Sequence, residues 1–147
     1  MSSINISIEG YNELMQKLGS KLPAILVKGV MQGVNKAVVL VESKAVMLAP
    51  VDTGDLRRKM GSEPAEEQNG EVIGKVFNTS DHAMYVEFGT GRRGNGTYTY
   101  PTDVALKYDP DWAGQIAQPY LGRALHTSQS QVKSAITQSI TNAMKGL

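Results

Sequence analysis

Apolar positions along the chain change period several times, and each change predicts an element. Residues 4–8 alternate Ile4, Ile6 and Ile8 with Asn5 and Ser7, the period of two of a short half-buried strand ending at Glu9-Gly10. Tyr11, Leu14, Met15 and Leu18 follow at helical spacing, and Gly19-Ser20 stops that first helix. A long second helix is expected from Pro23, a residue suited to a first helical turn, to Ala49-Pro50. Leu22, Leu26, Val30, Ala37, Val41, Ala45 and Leu48 form one stripe along it, and Val27, Met31, Val34, Val38 and Met47 widen the apolar surface. Such girth predicts contact on two sides, one of them with another subunit. The run Ala37–Val41 is rich in β-branched residues that favour sheet. The surrounding 3.6-residue pattern and a length of about 25 residues decide for helix. Gly29 and Gly33, one turn apart, either admit another backbone closely or are simply tolerated.

Beyond Pro50 the pattern shortens. Residues 52–60 read as a short turn or helix capped by Asp52 or Thr53, and Glu63–Gly70 as a polar connection. Glu71–Asn78 and Ala83–Phe88 are expected to be antiparallel strands joined around residues 78–82. From Gly89 to Gln118 the chain is rich in Gly, Tyr, Pro and Asp with little periodicity, a long excursion of the kind that is functional or mobile. A last helix is expected from about Pro119 to Lys145. Leu121, Leu125, Val132, Ile136, Ile140, Ala143 and Leu147 mark one face, and Ser, Thr and Gln cover the other. With no internal repeat, residues 1–147 read as one α+β domain. A long N-terminal helix and a C-terminal helix pack on a small antiparallel sheet, and a hairpin or loop excursion spans about 89–118.

Composition narrows what such a domain does. At 147 residues, with 41% hydrophobic and 20% charged residues, it is an ordinary globular chain. Aromatics are sparse, so aliphatic residues and seven Met must fill the core. A formal net charge of +1 gives no global field toward nucleic acid or anionic membrane. No cysteine is present, which removes disulfides, thiolate metal sites and cysteine nucleophiles. His82 and His126 alone make a poor start for a zinc site, and no metal or cofactor is expected. The N-terminal residues lack a basic region followed by an apolar core, so no signal peptide is expected, and no apolar run approaches the ~20 residues of a membrane span.

Asp52-Thr53-Gly54 matches the tripeptide of aspartic proteases, and Leu121-Gly122-Arg123-Ala124-Leu125 matches the apolar-Gly-Arg segment of small dimeric ones. That chemistry needs two aspartates sharing a proton, one from each subunit. Asp52, however, follows a helical pattern rather than a strand, and turns favour Asp, Thr and Gly in their own right. Gly89-Thr90-Gly91-Arg92-Arg93-Gly94 fits GxGxxG, yet Asn95-Gly96-Thr97-Tyr98-Thr99-Tyr100-Pro101 follows where a phosphate cradle needs a helix. These glycines read as the bend of a hairpin tip. Arg57-Arg58-Lys59 and Arg92-Arg93 are candidate phosphate contacts, with Tyr98 and Tyr100 placed to stack on bases. With net charge near zero, a solvated surface or salt bridges to a neighbouring subunit's Glu63, Glu66 or Glu67 is favoured. Glu87, between Val86 and Phe88, reads as a strand carboxylate without an acid/base partner.

Three segments in order carry a resemblance: Pro50-Val51-Asp52-Thr53-Gly54-Asp55-Leu56-Arg57, then Tyr85-Val86-Glu87-Phe88-Gly89-Thr90-Gly91, then Gln118-Pro119-Tyr120-Leu121-Gly122-Arg123-Ala124-Leu125. Over about residues 20–145 this order resembles the small head–tail joining proteins of long-tailed phages and prophages, called neck, connector or tail-completion proteins. The family often has Phe and Arg-Pro where this chain has Tyr120 and Gly122-Arg123. The resemblance implies no catalysis. It implies a virion protein, assembled in a bacterial cytoplasm, that forms a ring, commonly of six copies, between head connector and tail tube or its terminator, with DNA passing through. The motif residues Pro50, Asp52, Thr53, Gly54, Leu56, Arg57, Tyr85, Glu87, Phe88, Gly89, Gln118, Pro119, Tyr120 and Leu121 are expected to set the fold. Arg92, Arg93, Tyr98 and Tyr100 are expected to meet subunits or DNA.

Overall fold

The structure, a computed structural model, describes residues 2–7 and 22–145. The expected helix at residues 11–18 lies outside them. Strand β1 is Ser2–Ser7, α1 is Leu22–Leu48, α2 is Asp55–Arg58, and β2 is Met60–Gln68. Then come β3 (Glu71–Asn78), α3 (Ala83–Phe88), α4 (Gly91–Gly94), α5 (Tyr120–Thr127) and α6 (Gln129–Met144). The architecture is α+β, as the apolar pattern predicts, with α1 close to its expected ends.

The sheet has the order β1-β3-β2, so the strand partner of β3 along the chain is β2 and not 83–88. Asn69 and Gly70 turn the hairpin, both at positive φ (53° and 81°), which fits the backbone of a tight antiparallel connection. The polar connection expected at 63–70 is therefore mostly strand. β2 hides from a periodicity test because, among Ser62–Gln68, only Ala65 is buried. Ala83–Phe88 is a short helix, since burying Ala83, Val86 and Glu87 on one face needs the i, i+3, i+4 spacing that a strand cannot supply. The last helix is two, broken at the buried Ser128.

The chain divides into two compact units, to both of which α1, β2 and β3 contribute residues. One contains Asn5–Val41, Ser62–Val76 and Ser128–Leu147. Its core is the girth of α1: Leu26, Val30, Val34, Ala37, Val38 and Val41, none more than 3% exposed. Val34 and Val38 lie against Gly74 of β3, where a side chain would collide with both. On another side, a Cβ at Gly33 would lie 2.6 Å from the Ile136 Cα, and one at Gly29 would lie 2.9 Å from the Ala143 Cβ. These glycines thus bring α6 against α1, and the two-sided contact expected of α1 is made within the chain. Asn35 adds a polar tie, its Oδ1 accepting the Ala65 amide at 2.6 Å. Of the residues expected to widen the apolar face, Met47 is 75% exposed. Over 24–48 α1 also has the length and mean hydropathy, 1.5, of a membrane-crossing helix. Lys28, Lys36, Glu42 and Lys44 interrupt it, and the burial of its apolar stripe is that of a core helix.

The other unit holds Glu42–Gly61, Phe77–Thr127 and the start of β1. All of the motif segments fall in it. Among the described residues its buried apolar side chains are Ala45, Ala49, Leu56, Ala83, Val86, Tyr120, Leu121 and Ala124, and they are joined by buried polar ones, Asn78, Ser80, Glu87 and Thr90.

Candidate assembly site

A helix ends with carbonyls that have no intrahelical donor, and α1 has no basic residue in its last turn. Arg57 supplies both donor and charge: Nε donates to the Ala49 carbonyl at 3.4 Å and Nη2 to that of Met47 at 3.3 Å. Bringing Arg57 back requires a sharp corner, which Gly54 makes at φ 82°, a conformation strained for any residue with a Cβ. Gly54 is the N-cap of α2 and no side chain caps it, so the expected capping by Asp52 or Thr53 is corrected. Thr53 Oγ1 accepts only a 3.4 Å contact from the Asp55 amide, and Asp52 is exposed. Arg58 Nη1 donates to the Thr53 carbonyl at 2.9 Å. Half-buried Pro50 opens the corner and Leu56, 5% exposed, anchors it.

Asp55 ties this corner to the segment entering α3. It accepts the Ser80 hydroxyl at 2.6 Å and Lys59 Nζ at 3.0 Å, with Arg58 and His82 each at 3.9 Å. The hydrogen bonds from Ser80 and Lys59 hold its carboxyl below the usual carboxylate range. Asn78 completes the tie, donating to the Leu56 carbonyl at 2.8 Å and accepting the Ser80 amide at 2.9 Å. The basic run Arg57-Arg58-Lys59 is thus used inside the unit.

Glu87 joins the second motif segment to the third. It is 2% exposed on the inner face of α3. Oε2 accepts the Leu121 amide at 2.9 Å and Oε1 the Gly122 amide at 2.8 Å. These are first-turn donors of α5, which helix geometry leaves open and whose dipole favours an anion. The Tyr98 hydroxyl donates to the same carboxylate. Burial pushes the Glu87 carboxyl above its ordinary range, although the Gly122 and Leu121 amides and Tyr98 act the other way. Burial and the adjoining carboxylate raise the Tyr98 hydroxyl in turn. A side chain at Gly122 would strike the Tyr98 hydroxyl. The Gln118 amide donates to the Val86 carbonyl at 2.8 Å, and Tyr120 reaches the Ala83 carbonyl at 3.4 Å. Tyr120 and Leu121, each 1% exposed, lie in α5, which packs on α3. Glu87 therefore has partners that the sequence hid: two are backbone amides 34 and 35 positions away.

The excursion is stitched down. Thr90 and Gln115 exchange amide–carbonyl bonds of 2.9 Å each way, and the Arg92 and Arg93 amides donate to Trp112 at 2.8 Å and Ala113 at 2.9 Å. Gly89, at φ 78°, passes so close that a Cβ would lie 2.7 Å from the Ala117 amide nitrogen. Phe88 meets Tyr98 edge-on at 4.7 Å, and its carbonyl accepts the Tyr108 hydroxyl at 2.8 Å. Gly91–Gly94 is a single helical turn, not the expected hairpin tip.

On the outer surface of this unit Tyr85 is 59% and Trp112 56% exposed. Together with His82, Thr90, Gly114 and Gln115 they line a groove of about 490 Å³. Tyr85 also borders a second groove, of about 370 Å³, with Phe88, Val104 and Tyr108. Arg92 and Arg93 are exposed beside the first. Tyr98 faces inward, and half-buried Tyr100 lies 6.0 Å from it and 5.3 Å from His126. Among the described residues no group of three or more His, Asp or Glu is placed to hold a metal ion.

The surface offers contacts, and the buried polar groups spend themselves on helix ends. Comparison with known proteins places this arrangement: the model of the HK97-gp10-like family, described as a bacteriophage HK97-gp10 tail component, matches residues 12–89. The match covers just over half of the chain and includes the first motif segment and the second as far as Gly89, while the third lies beyond it. No curated protein and no solved structure gives a match. The chain belongs to the HK97-gp10-like family, and is a structural component of a bacteriophage tail.

Proposed function

We propose that this protein, acting as one domain over residues 1–147, is a non-enzymatic ring protein that completes the tail at the head–tail junction. Membership of a tail-component family carries the reading. In this role several copies, six by the resemblance of the motifs, close a ring between the head connector and the tail tube or its terminator. DNA passes through the ring without sequence-specific contact, and no cofactor or membrane takes part. The motif residues support the role by what they do: Arg57 and Glu87 fix helix ends and Asp55 ties the corner to Ser80, leaving Tyr85, Trp112, Arg92 and Arg93 outward for assembly.

The test is deletion in the phage or prophage that encodes the chain. Filled heads and unattached tails should accumulate, and the wild-type protein should be found at the neck of intact particles by labelled electron microscopy. Normal particles in the deletion, or the protein's absence from purified virions, would overturn the reading. A tail-tube terminator would instead leave tails of uncontrolled length. Asp52, exposed on a turn after a helix, gives the dimeric aspartic-protease alternative no support; cleavage in acid that is lost in Asp52→Asn would revive it.

A further inference from the structure

The outer surface of the motif-bearing unit gathers exposed Tyr85 and Trp112 around one groove, with exposed Arg92 and Arg93 on the turn whose backbone is bonded to Trp112 and Ala113. Trp, Tyr and Arg are the residue types that dominate binding energy at protein interfaces, because each combines a large rigid or planar apolar area with a polar group. The groove is mostly apolar, and Arg92 and Arg93 are exposed on the turn next to it in the backbone bonding, so its occupant should present a slim, partly extended segment that carries acidic residues.

The chain itself offers one. Strand β2 lies at an edge of the sheet, and its Glu66 and Glu67 are exposed; Glu71 follows across the hairpin turn. Pro64 lies within β2 and lacks an amide donor, a mark of an edge strand. Carboxylates on an edge repel a second identical edge, which bars strand-to-strand pairing of copies but leaves a basic partner welcome. The Glu63 carboxylate is 3.9 Å from Lys75 and Glu66 accepts the Gln68 side-chain amide at 3.1 Å; among the described residues no cation lies within ion-pair distance of Glu66, Glu67 or Glu71.

We propose that β2 and the hairpin turn of one copy dock into the Tyr85–Trp112 groove of the next copy, with Glu66 on one face of the strand meeting Arg93 and Glu67 on the other meeting Arg92. The inference rests on the ring reading and specifies its contact. The two surfaces differ, so the contact is heterologous, and repeated head to tail it builds the proposed ring where the rotation between copies closes, rather than stopping at a two-fold dimer. Charge complementarity sets partner and register, and the aromatic pair supplies most of the affinity.

The absence of native cysteine allows a direct test. Full-length Arg93→Cys and Glu66→Cys chains, each altered at an exposed position, are mixed in equal amounts and treated with a short bis-maleimide. The mixed product should exceed either single-variant product about tenfold, the ratio that a preference of about 1.4 kcal/mol for the heterologous pairing gives. Adding Glu67→Arg to the second chain should abolish this excess, and adding Arg92→Glu to the first should restore it. Equal yields of mixed and single-variant products overturn the proposal, as does a dominant single-variant product, which marks a two-fold contact. Tight, salt-sensitive binding of duplex DNA that is lost in Arg92→Ala/Arg93→Ala would assign the patch to nucleic acid and also overturn it. Failure of the cross-link in a protein found at the neck of virions rejects this contact while leaving the tail-component role intact.

Discussion

Around residues 22–41 and 129–144 the chain coheres through apolar side chains and closely approaching backbones. In residues 42–61 and 77–127 it coheres also through polar side chains clamped onto helix ends. The first region has Val34, Ala37 and Val41 at 0% exposure, with Gly33 admitting Ile136. In the second, Glu87 holds the start of α5, and Arg57 holds the end of α1 close by in sequence. Apolar packing is broad and tolerant of which residue supplies it, whereas a clamp depends on one atom being in one place. The clamped region is also where the exposed aromatic and arginine side chains are displayed, and a docking surface gains from rigid support.

The largest way to break this comparison lies in the packed region. Gly33→Leu would drive side-chain atoms into the backbone at Ile136, and should cost about 3 kcal/mol, roughly 10 °C in melting temperature. The neighbouring exposed Gln32→Leu should change stability by less than about 0.5 kcal/mol. Equal effects in thermal unfolding would mean that α6 does not approach α1 as described.

The clamp comes next. Glu87→Ala leaves the Leu121 and Gly122 amides and the Tyr98 hydroxyl without their buried acceptor, and should cost about 2–3 kcal/mol. Glu87→Gln keeps one acceptor oxygen and should recover part of that loss. Hydrogen exchange should localise the damage to α5, leaving the amides of α1 over residues 26–41 protected. Uniform loss of protection would show that the two regions do not differ as argued.

This contrast also explains what the sequence made legible. The girth of α1 and the alternation of β3 are patterns of apolar burial, so periodicity finds them. Residues 83–88 were misread because Tyr85, Val86 and Phe88 favour strands by propensity, and only the tertiary demand to bury Ala83, Val86 and Glu87 together makes them a helix. β2 was missed because its Glu and Pro disguise an edge strand, although Asn69-Gly70 is a strong hairpin signal in plain view. The break at Ser128 lies in a run of Thr127-Ser128-Gln129-Ser130, whose hydroxyls compete with helical bonding: Thr127 Oγ1 donates to the Arg123 carbonyl at 2.7 Å. Motif order showed where the site lies. Its chemistry stayed hidden because the partners of Glu87 and Arg57 include backbone groups, which every residue carries.

Arg57→Ala should have a smaller effect, about 1 kcal/mol, since its bonds at 3.3–3.4 Å are long and the side chain is largely exposed. Arg57→Lys should keep part of it through charge alone, and chemical denaturation of the three proteins orders them.

The smallest effect separates two carboxylates within the clamped region, and its sign is the test. Asp55 is held below its ordinary range by Ser80 and Lys59, so its contribution is present above about pH 3.9 and is lost as pH falls through the lowered folded value. Glu87 is raised by burial, so its contribution is fully present below about pH 4.3 and is lost as pH rises through the raised folded value. The stability difference between wild type and Asp55→Asn should therefore grow with rising pH, while that between wild type and Glu87→Gln should shrink. Melting temperatures of the three proteins between about pH 3 and pH 7 give both slopes. Parallel slopes would sink the argument, because they would mean that Glu87 is solvated like Asp55 and that α5 is not held by a buried carboxyl group.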